Sequence, residues 1–411
     1  MALGTPKAMF PRSQALAWDR TAPEAPPLSS HFIVICPLSI VNYLAQFLRA
    51  FMPNPSPKST HHGRGAALNP TNRFERVATT PDLEHLVDEE DFITPAPQTQ
   101  FFTDQSQTIL SHNDSPDIPF SHSINPYRGC EHGCSYCYAR PTHEYLGMGA
   151  GIDFESRIMV KYDAAKLFRE ALCKPGWKGE LIVLSGVTDC YQPIERKLKL
   201  TRSLLEVALE ARQPIGIITK NALVARDVDL LAQLAEKNLT EVYLSITSLD
   251  ADLIGKLEPR TSRPEARLRA IETLARYNIP VGVMTAPIIP GLNDYEAPQI
   301  LKAAKAAGAR RAGYVYLRLP HAVAPMFLAW LEEHYPLAKP KVEALIRDSR
   351  DGNLNKAKFG ERMKGTGAYA ESFKATFKAF AQKLGLNQER FPLDCTQFRP
   401  PKQASGQKWL F

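Results

Sequence analysis

The sequence predicts an α/β protein whose body is a partial, open barrel of about six β-α units, followed by a C-terminal helical extension. Short, nearly continuously apolar runs alternate with amphipathic stretches, a pattern typical of parallel strands that are covered on both faces. Successive runs are about 30 residues apart, the length of one strand with its crossover helix. Six units are too few for a closed eight-unit barrel. No G-x-G-x-x-G follows the first run, which disfavours a dinucleotide-binding sheet.

The predicted strands are short and rich in β-branched residues. One is predicted near residues 123–127, directly before a cysteine-rich loop, and the others at residues 181–185, 215–219, 242–247, 281–285 and 313–317. Several runs end in polar residues, which are Ser185, Thr219, Ser245 with Thr247, and Thr285. Because the binding residues of β/α barrels lie at the carboxyl ends of the strands, we expect the functional site there.

Amphipathic helices are predicted between the strands. Their apolar stripes are Leu200, Leu204 and Val207; Val228 and Leu231; Leu268 and Ile271; and Ile300 and Leu301. Residues 324–334, 341–350 and 371–384 predict further helices. We interpret these as a cap on the barrel and not as an independent domain.

The chain is expected to divide into four parts. These are an N-terminal extension (1–52), an irregular arm that wraps the core (53–121), the barrel (122–320), and the helical cap with its tail (321–411). Residues 31–52 are strongly apolar, but Pro37 and Arg49 are among the residues that interrupt them, so no stable membrane association is expected. An alternative is that translation begins at Met52, which would make the extension non-native or disordered.

Composition sets the class of protein. The chain has 411 residues and a formal net charge of +7, which permits a polyanionic partner but does not require one. Basic residues that are candidates for phosphate contacts are Lys58, Arg64, Arg73, Arg76, Arg310 and Arg311, although a solvated face explains them equally well. The seven cysteines are odd in number and partly clustered, which excludes a secreted disulfide framework. Clustered thiols in a large chain indicate metal binding in a reducing cytoplasm.

The sharpest signal is a loop with the spacing C-x3-C-x2-C, formed by Cys130, Cys134 and Cys137. Gly129 and Gly133 allow the backbone to curl so that the three thiolates face one iron–sulfur cluster. Three thiolates leave one iron of a four-iron cluster without a protein ligand, and an open metal position invites a substrate or cofactor. The alternative is a zinc site completed by His132 or His143, although zinc sites usually combine two separated cysteine pairs.

This loop, with Tyr136 before the last cysteine, resembles the signature of radical S-adenosylmethionine (SAM) enzymes, whose fold is a partial β/α barrel. Three stretches, residues 125–141, 185–195 and 257–264, further resemble the branch of spore photoproduct lyase-like proteins, often labelled DNA repair photolyases. The resemblance extends over about residues 60–390.

The resemblance implies a chemistry as well as a fold. Cys130, Cys134 and Cys137 would hold a [4Fe-4S] cluster, whose fourth iron would chelate S-adenosyl-L-methionine. An electron from a donor such as flavodoxin or ferredoxin would cleave SAM to methionine and a 5′-deoxyadenosyl radical, which abstracts a hydrogen atom from the substrate. The protein then positions the cofactor and excludes water.

Under the resemblance, further residues are assigned to SAM. Tyr136 would stack near the adenine, and Thr285 would contact it. Ser185, Thr188 and Asp189 would bind the ammonium group of SAM, and Arg260 would pair with its carboxylate. Ser245 and Thr247 would reach the ribose, and Lys220 would line the mouth of the barrel. Several have structural alternatives: Tyr136 packing under the loop, Asp189 capping a helix, and Arg260 solvated in a loop.

Cys190 follows Asp189 at the active end of a strand. A thiol is a good hydrogen-atom donor, and spore photoproduct lyase uses a cysteine to quench the product radical. The resemblance therefore leads us to expect that Cys190, together with Tyr191, plays this catalytic part. The alternative is a passive buried cysteine. Cys36, Cys173 and Cys395 are scattered, so no auxiliary cluster is expected.

The resemblance favours a nucleic-acid lesion, such as one in DNA, as the substrate. Two alternatives remain: the same chemistry on RNA, a peptide or a small metabolite, and a zinc-stabilised nucleic-acid-binding module without catalysis. The C-terminal Gln407–Phe411 resembles peptides that dock into bacterial sliding clamps, although a tail packed on the protein's own surface explains it as well.

Overall fold

In the part of the chain that the structure describes, ten strands form two sheets. The computed structural model describes residues 63–66, 68–70, 72–74, 98–388 and 392–402. The strands are β1 (Gln100–Thr103), β2 (Leu110–His112), β3 (His122–Ile124), β4 (Tyr127–Arg128), β5 (Arg157–Val160), β6 (Ile182–Leu184), β7 (Ile215–Thr219), β8 (Thr240–Ser245), β9 (Val281–Ile288) and β10 (Arg311–Tyr316). The apolar segment 31–52, the start at Met52 and the clamp-like Gln407–Phe411 lie outside the described residues.

The main sheet has the order β10-β9-β8-β7-β6-β3-β2. Its first six strands are parallel to their neighbours, and only β2 runs antiparallel, along β3. The edge strands β10 and β2 do not pair with each other, so the barrel is open. The predicted α/β fold, a partial barrel of six parallel strands, is confirmed.

Helices connect the strands and extend the chain at its C-terminal end. They are α1 (Ile152–Ser156), α2 (Ala164–Leu172), α3 (Glu195–Leu198), α4 (Leu200–Ala211), α5 (Val228–Ala235), α6 (Ala251–Leu257), α7 (Pro264–Arg276), α8 (Ala297–Ala306), α9 (Val323–His334), α10 (Lys339–Asp348) and α11 (Gly367–Lys383). No helix within the described ranges is long and apolar enough to cross a membrane.

The helices cover one face of the main sheet. Val242 and Leu244 of β8 lie in the largest hydrophobic core together with Ile271 of α7. Because side chains alternate along a strand, Tyr243 and Ser245 face the opposite side, which is the barrel interior. The same alternation along the other strands decides which polar residues at the strand ends reach the interior.

The predicted strands agree with the observed ones to within three residues at each end. The sequence did not predict β2, nor the small sheet of order β1-β5-β4. These strands have two to four residues, and β1 and β2 lie in the part interpreted as an irregular arm. Strands this short carry no usable periodicity and are specified by the neighbour they pair with.

Candidate active site

The cysteine loop follows β4 and turns at two positions where only glycine fits. Gly129 and Gly133 have φ of 81° and 67°, in the left-handed region that residues with a Cβ avoid. An added Cβ would lie 2.9 Å from the Phe154 carbonyl oxygen at the first position and 2.6 Å from Glu155 Oε2 at the second. The two glycines therefore produce the tight curl that the sequence predicts.

All three thiols of the loop are shielded from water. Cys130 and Cys134 are buried, and Cys137 is half-buried. Burial is the main reason why the pKa of each thiol is raised. Without a metal these groups stay protonated at neutral pH, and iron binding would displace their protons.

The donor set of the loop, three thiols within eight positions, is the kind that holds an iron–sulfur cluster. No three His, Cys, Asp or Glu side chains among the described residues converge closely enough to hold one metal ion. His132, a candidate zinc ligand, instead faces Asp189 through Nδ1 at 3.4 Å and Asn221 through Nε2 at 3.2 Å. A [4Fe-4S] cluster needs thiolates that are spread apart, because each cysteine binds a different iron.

A buried arginine braces the loop from behind. Arg140 donates to the Cys134 carbonyl oxygen from Nε at 3.0 Å and from Nη2 at 2.8 Å, and from Nη1 to the Gly151 carbonyl oxygen at 2.9 Å. Its charge is balanced by an ion pair with Glu155, which is also fully buried. Nothing in the sequence singled out this pair.

The described part of the N-terminal arm lies directly against the loop. The backbone N–H of Gly65 donates to Glu155 Oε2 at 3.1 Å, and Arg64 Nη1 donates to the Glu155 carbonyl oxygen at 2.9 Å. A Cβ on Gly65 would lie 1.6 Å from the Gly133 carbonyl oxygen, so this contact excludes any side chain. Further along the arm, Arg73 pairs with Glu144 at 3.1 Å.

We expect Gly65→Ala to displace the arm and to expose the cysteine loop, because the added methyl group cannot share space with the Gly133 carbonyl group. The reconstituted variant should lose iron and sulfide in air several times faster than the parent protein. Gly255→Ala is the matched control, since it adds the same methyl group in α6, where nothing lies within 4 Å and φ is not positive. Equal rates of cluster loss in both variants would contradict the prediction.

Asp189 joins the cysteine loop to the ends of β6 and β7. Its Oδ1 accepts from the Thr219 hydroxyl at 2.7 Å and from the Tyr191 N–H at 2.8 Å. Its Oδ2 accepts from the Lys220 N–H at 2.8 Å and faces His132. Because the next helix begins only at Glu195, Asp189 is not a helix cap. The Asp189 carboxylate thus connects three segments of the site, which are the turn after β6, the end of β7 and the cysteine loop.

Ser185 and Thr188 shape the turn after β6. Ser185 has φ of 73°, and its hydroxyl accepts from the Cys190 N–H at 2.7 Å. The Thr188 hydroxyl donates to the Tyr127 carbonyl oxygen at 2.8 Å. The hydroxyl groups of Ser185 and Thr188 thus stabilise the turn through these hydrogen bonds. The Gly186 carbonyl oxygen, in the same turn, accepts from the Tyr138 hydroxyl at 2.8 Å.

A buried carboxylate, Glu258, organises the other strand ends. It accepts from the hydroxyl groups of Tyr136 and Thr247, and it pairs with Arg267 and with Lys220, whose Nζ lies 3.4 Å away. Burial alone would raise the pKa of Glu258, but the two cations bring that pKa well below its usual value. Lys220 Nζ also lies 5.7 Å from the centroid of the Tyr136 ring.

The strand register places two other predicted residues, Ser245 and Thr285, on opposite faces of the main sheet. Ser245 shares the interior face with Tyr243, and its contact with the ribose stays a prediction. Thr285 pairs in register with Tyr314, whose ring packs on Phe377 of α11 at 4.8 Å, so Thr285 lies on the helix-covered face. Its hydroxyl is fully buried and has no hydrogen-bond partner among the described residues.

Arg260, Cys190 and Tyr191 also have partners within the protein. Arg260 Nη2 lies 3.3 Å from Glu131 Oε1, inside the cysteine loop. Cys190 and Tyr191 are fully buried in the main core, and the Tyr191 hydroxyl lies 3.1 Å from Asp227 Oδ2. These surroundings favour the alternative in which Cys190 is a packing residue.

The structure thus adds residues that sequence reasoning missed. Arg140, Glu155, Arg267 and Glu258 carry much of the buried charge around the loop and the strand ends. Glu258 lies inside the stretch 257–264, which was recognised for its pattern, but no local signal distinguished this carboxylate from its neighbours.

Comparison with known proteins agrees with this geometry. Residues 124–304 match the family described as the radical SAM superfamily. An uncharacterized protein of Mycobacterium tuberculosis H37Rv is 34% identical over 232 residues, which are 56% of this chain and 68% of that protein. An uncharacterized protein of Methanocaldococcus jannaschii is 35% identical over 173 residues, which are 42% of this chain and 62% of that protein.

Among solved structures, spore photoproduct lyase complexed with dinucleoside spore photoproduct is similar in fold. The two share a TM-score of 0.50 and 18% sequence identity, over 70% of this chain and 80% of that one. At this level of identity the likeness establishes the fold and nothing further.

Proposed function

The chain belongs to the radical SAM superfamily, and we propose that it cleaves S-adenosylmethionine reductively and abstracts hydrogen from a nucleic-acid lesion, in a lyase-like reaction. Radical SAM enzymes use a [4Fe-4S] cluster and S-adenosylmethionine, so these are the cofactors of this chain. When bound, they supply a 5′-deoxyadenosyl radical. Radical SAM enzymes also need an electron donor, for which we propose a flavodoxin or a ferredoxin.

The observation that supports this proposal most directly is the set of three shielded thiols on a glycine-curled loop beside the carboxyl ends of the strands. Cys130, Cys134 and Cys137 would hold the cluster. Arg140 fixes the loop backbone through the Cys134 carbonyl oxygen. The loop is tied to the neighbouring strand ends through the His132–Asp189 contact and the Tyr136–Glu258 hydrogen bond.

The other residues of the site would position SAM and keep water away from it. Ser245 faces the barrel interior, where it would reach the ribose. Lys220 Nζ donates to the Ala286 carbonyl oxygen at 2.9 Å and lies near the Tyr136 ring, so it holds one wall of the mouth. Asp189 and Thr188 would act by shaping the turn after β6, since their polar atoms already have partners.

The choice of a nucleic-acid substrate rests on the resemblance of the stretches 125–141, 185–195 and 257–264. The basic residues support it less, because Arg64 and Arg73 of the arm and Arg311 of β10 bond to other parts of the protein. The same chemistry on RNA, a peptide or a metabolite is therefore the second candidate. We do not propose a zinc module, because the superfamily to which the chain belongs uses a [4Fe-4S] cluster.

The experiment is anaerobic reconstitution of the full chain with iron and sulfide, followed by SAM and dithionite. We expect 5′-deoxyadenosine and methionine to form, and DNA that carries a lesion to be converted while undamaged DNA is not. A colourless protein that binds one zinc and forms no 5′-deoxyadenosine would overturn the proposal. Formation of 5′-deoxyadenosine without any change in the DNA would shift the assignment to the second candidate.

Cys190→Ala tests the role assigned to that thiol. Because the side chain is buried in the core, we expect the variant to lose about 1–2 kcal/mol of stability and to keep the parent's rate of 5′-deoxyadenosine formation. The measurements are denaturant unfolding and product analysis by mass spectrometry. A changed distribution of substrate products at an unchanged rate of SAM cleavage would instead support radical quenching by Cys190.

A further inference from the structure

Positive charge accumulates at the open side of the barrel, near the end of β10. Arg318 follows β10, Arg350 follows α10, and Arg362 lies on a segment that we call the strap, residues 356–364. Arg362 forms an ion pair with Asp117. Neither Arg318 nor Arg350 has a carboxylate oxygen within 4.0 Å in the described part of the chain.

The strap connects the two edges of the open barrel. Its Met363 carbonyl oxygen accepts from the Tyr316 N–H of β10 at 2.8 Å. On the other side, its Gly360 N–H donates to Asp117 Oδ1 at 2.6 Å, and Asp117 lies in the turn between β2 and β3. Arg318 therefore lies where the strap crosses the open side.

Arg318 and Arg350 form no ion pair among the described residues, and the nearby Asp117 acts on Arg318 only from beyond ion-pair distance. Arg350 is 1% exposed, and it donates to the carbonyl oxygens of Leu317 at 2.6 Å and Glu361 at 3.2 Å. Arg318 Nη1 reaches only the Met363 sulfur, at 3.7 Å. The Nε groups of Arg318 and Arg350 are buried and have no partner in the described residues.

Such an arrangement is costly without an anion. Burial lowers the pKa of Arg350 to about 10, and the nearby Arg318 contributes to this lowering. Burial also lowers the pKa of Arg318. A buried cation is stabilised when a counter-ion arrives, and a guanidinium offers paired N–H donors to an oxyanion.

The position of Arg318 relates this charge to the active site. Its guanidinium carbon lies 5.1 Å from the centroid of the Tyr138 ring, and Tyr138 directly follows Cys137. The Tyr138 hydroxyl donates to the Gly186 carbonyl oxygen in the turn after β6. An anion bound by Arg318 would thus lie beside the cysteine loop, on the side from which the barrel is open.

The surrounding charge favours phosphate over carboxylate. The cations of the strap are largely balanced, because Lys356 pairs with Asp351 and Glu361, Lys358 with Glu361, and Arg362 with Asp117. A phosphate monoester carries nearly two negative charges at neutral pH, whereas a carboxylate carries one. Arg318 and Arg350, which have no ion pair among the described residues, supply two unbalanced positive charges and therefore match the more highly charged group.

We propose that Arg318, with Arg350 behind it, binds a phosphate group of the second substrate at the open side of the barrel. This inference rests on the proposed function, since it assigns the site to the substrate of that reaction. The planar fork of Arg318 would take two phosphate oxygens, and Arg350 would add charge without direct contact.

The test measures binding to the reconstituted full chain by titration calorimetry, with three probes: thymidine 5′-phosphate, thymidine and S-adenosylhomocysteine. We expect the parent to bind the phosphate probe more tightly than thymidine, and Arg318→Gln to weaken phosphate binding by at least about tenfold. S-adenosylhomocysteine affinity should change less than twofold. Arg347→Gln removes the same charge from the exposed side of α10 and is the matched control.

Equal affinity of the parent for the phosphate probe and for thymidine would overturn the proposal. So would an Arg318→Gln variant that binds S-adenosylhomocysteine weakly, because the anion would then be the carboxylate of the cofactor. Reductive SAM cleavage in the absence of a second substrate is measured in parallel. That reaction tests the proposed function by itself, so a failure of the phosphate site is distinguishable from a failure of the enzyme assignment.

Discussion

Replacing Cys134 with alanine is expected to abolish both the iron–sulfur cluster and the reductive cleavage of SAM. The loop offers three shielded thiols, and no other cysteine in the described residues belongs to it. Two thiolates cannot hold a cluster that takes one thiolate for each of three irons. Mutating a residue that only hydrogen-bonds to a metal ligand already lowers metal affinity or activity about 10- to 100-fold. Because Cys134 would itself be a ligand, we expect SAM cleavage to fall by at least about 100-fold.

The measurements for this variant are iron and sulfide content after anaerobic reconstitution, and the rate of 5′-deoxyadenosine formation. Cys173→Ala is the control, because this thiol lies outside the cysteine loop and donates to the Pro401 carbonyl oxygen at 3.5 Å. We expect the control to match the parent. A Cys134→Ala protein with full iron content and full SAM cleavage would remove the basis of the functional assignment.

The second large effect is expected from Glu258→Gln. Glu258 is the buried carboxylate that balances Arg267, whose side chain is also buried, and Lys220. Removing one member of a buried ion pair leaves an uncompensated charge, which costs about 3–5 kcal/mol. The variant should also hold less cluster, because the Tyr136 hydroxyl and the loop around it lose their charged acceptor.

The effect of Glu258 should depend on pH in a defined direction. The folded protein holds the pKa of Glu258 well below its ordinary value of 4.5, so the unfolded chain takes up the proton first as the pH falls. The stability that Glu258 contributes is therefore complete above about pH 4.5 and is lost at lower pH. The difference in unfolding free energy between the parent and Glu258→Gln should shrink over that range.

Urea unfolding of the apoprotein at several pH values measures this difference. Glu265→Gln is the control, since Glu265 is an exposed carboxylate in the first turn of α7. We expect it to change stability by less than about 0.5 kcal/mol at every pH. A Glu258→Gln protein as stable as the control at neutral pH would show that the buried network does not depend on this charge.

Local patterns were sufficient for the main sheet and for the cysteine loop. The runs at 181–185 and 281–285 are strands in the structure because continuous β-branched apolar residues suit a sheet that is buried on both faces. The spacing of Cys130, Cys134 and Cys137 predicted one loop, and Gly129 and Gly133 do supply its left-handed turns. These features depend on residues that are close together in the chain.

What the sequence alone determined, therefore, is the open α/β barrel, the cysteine loop and the superfamily chemistry that they imply. The tertiary structure alone decided which charged groups support the loop. Tyr136 and Glu258 are 122 positions apart, and Glu258 is one of 43 acidic residues. The contact of Gly65 with Gly133 and the unpaired charge of Arg318 likewise arise only when distant segments meet. Pairing of buried charges depends on the distance between the charged groups and on the exclusion of water from them, and residues that are neighbours in the sequence determine neither.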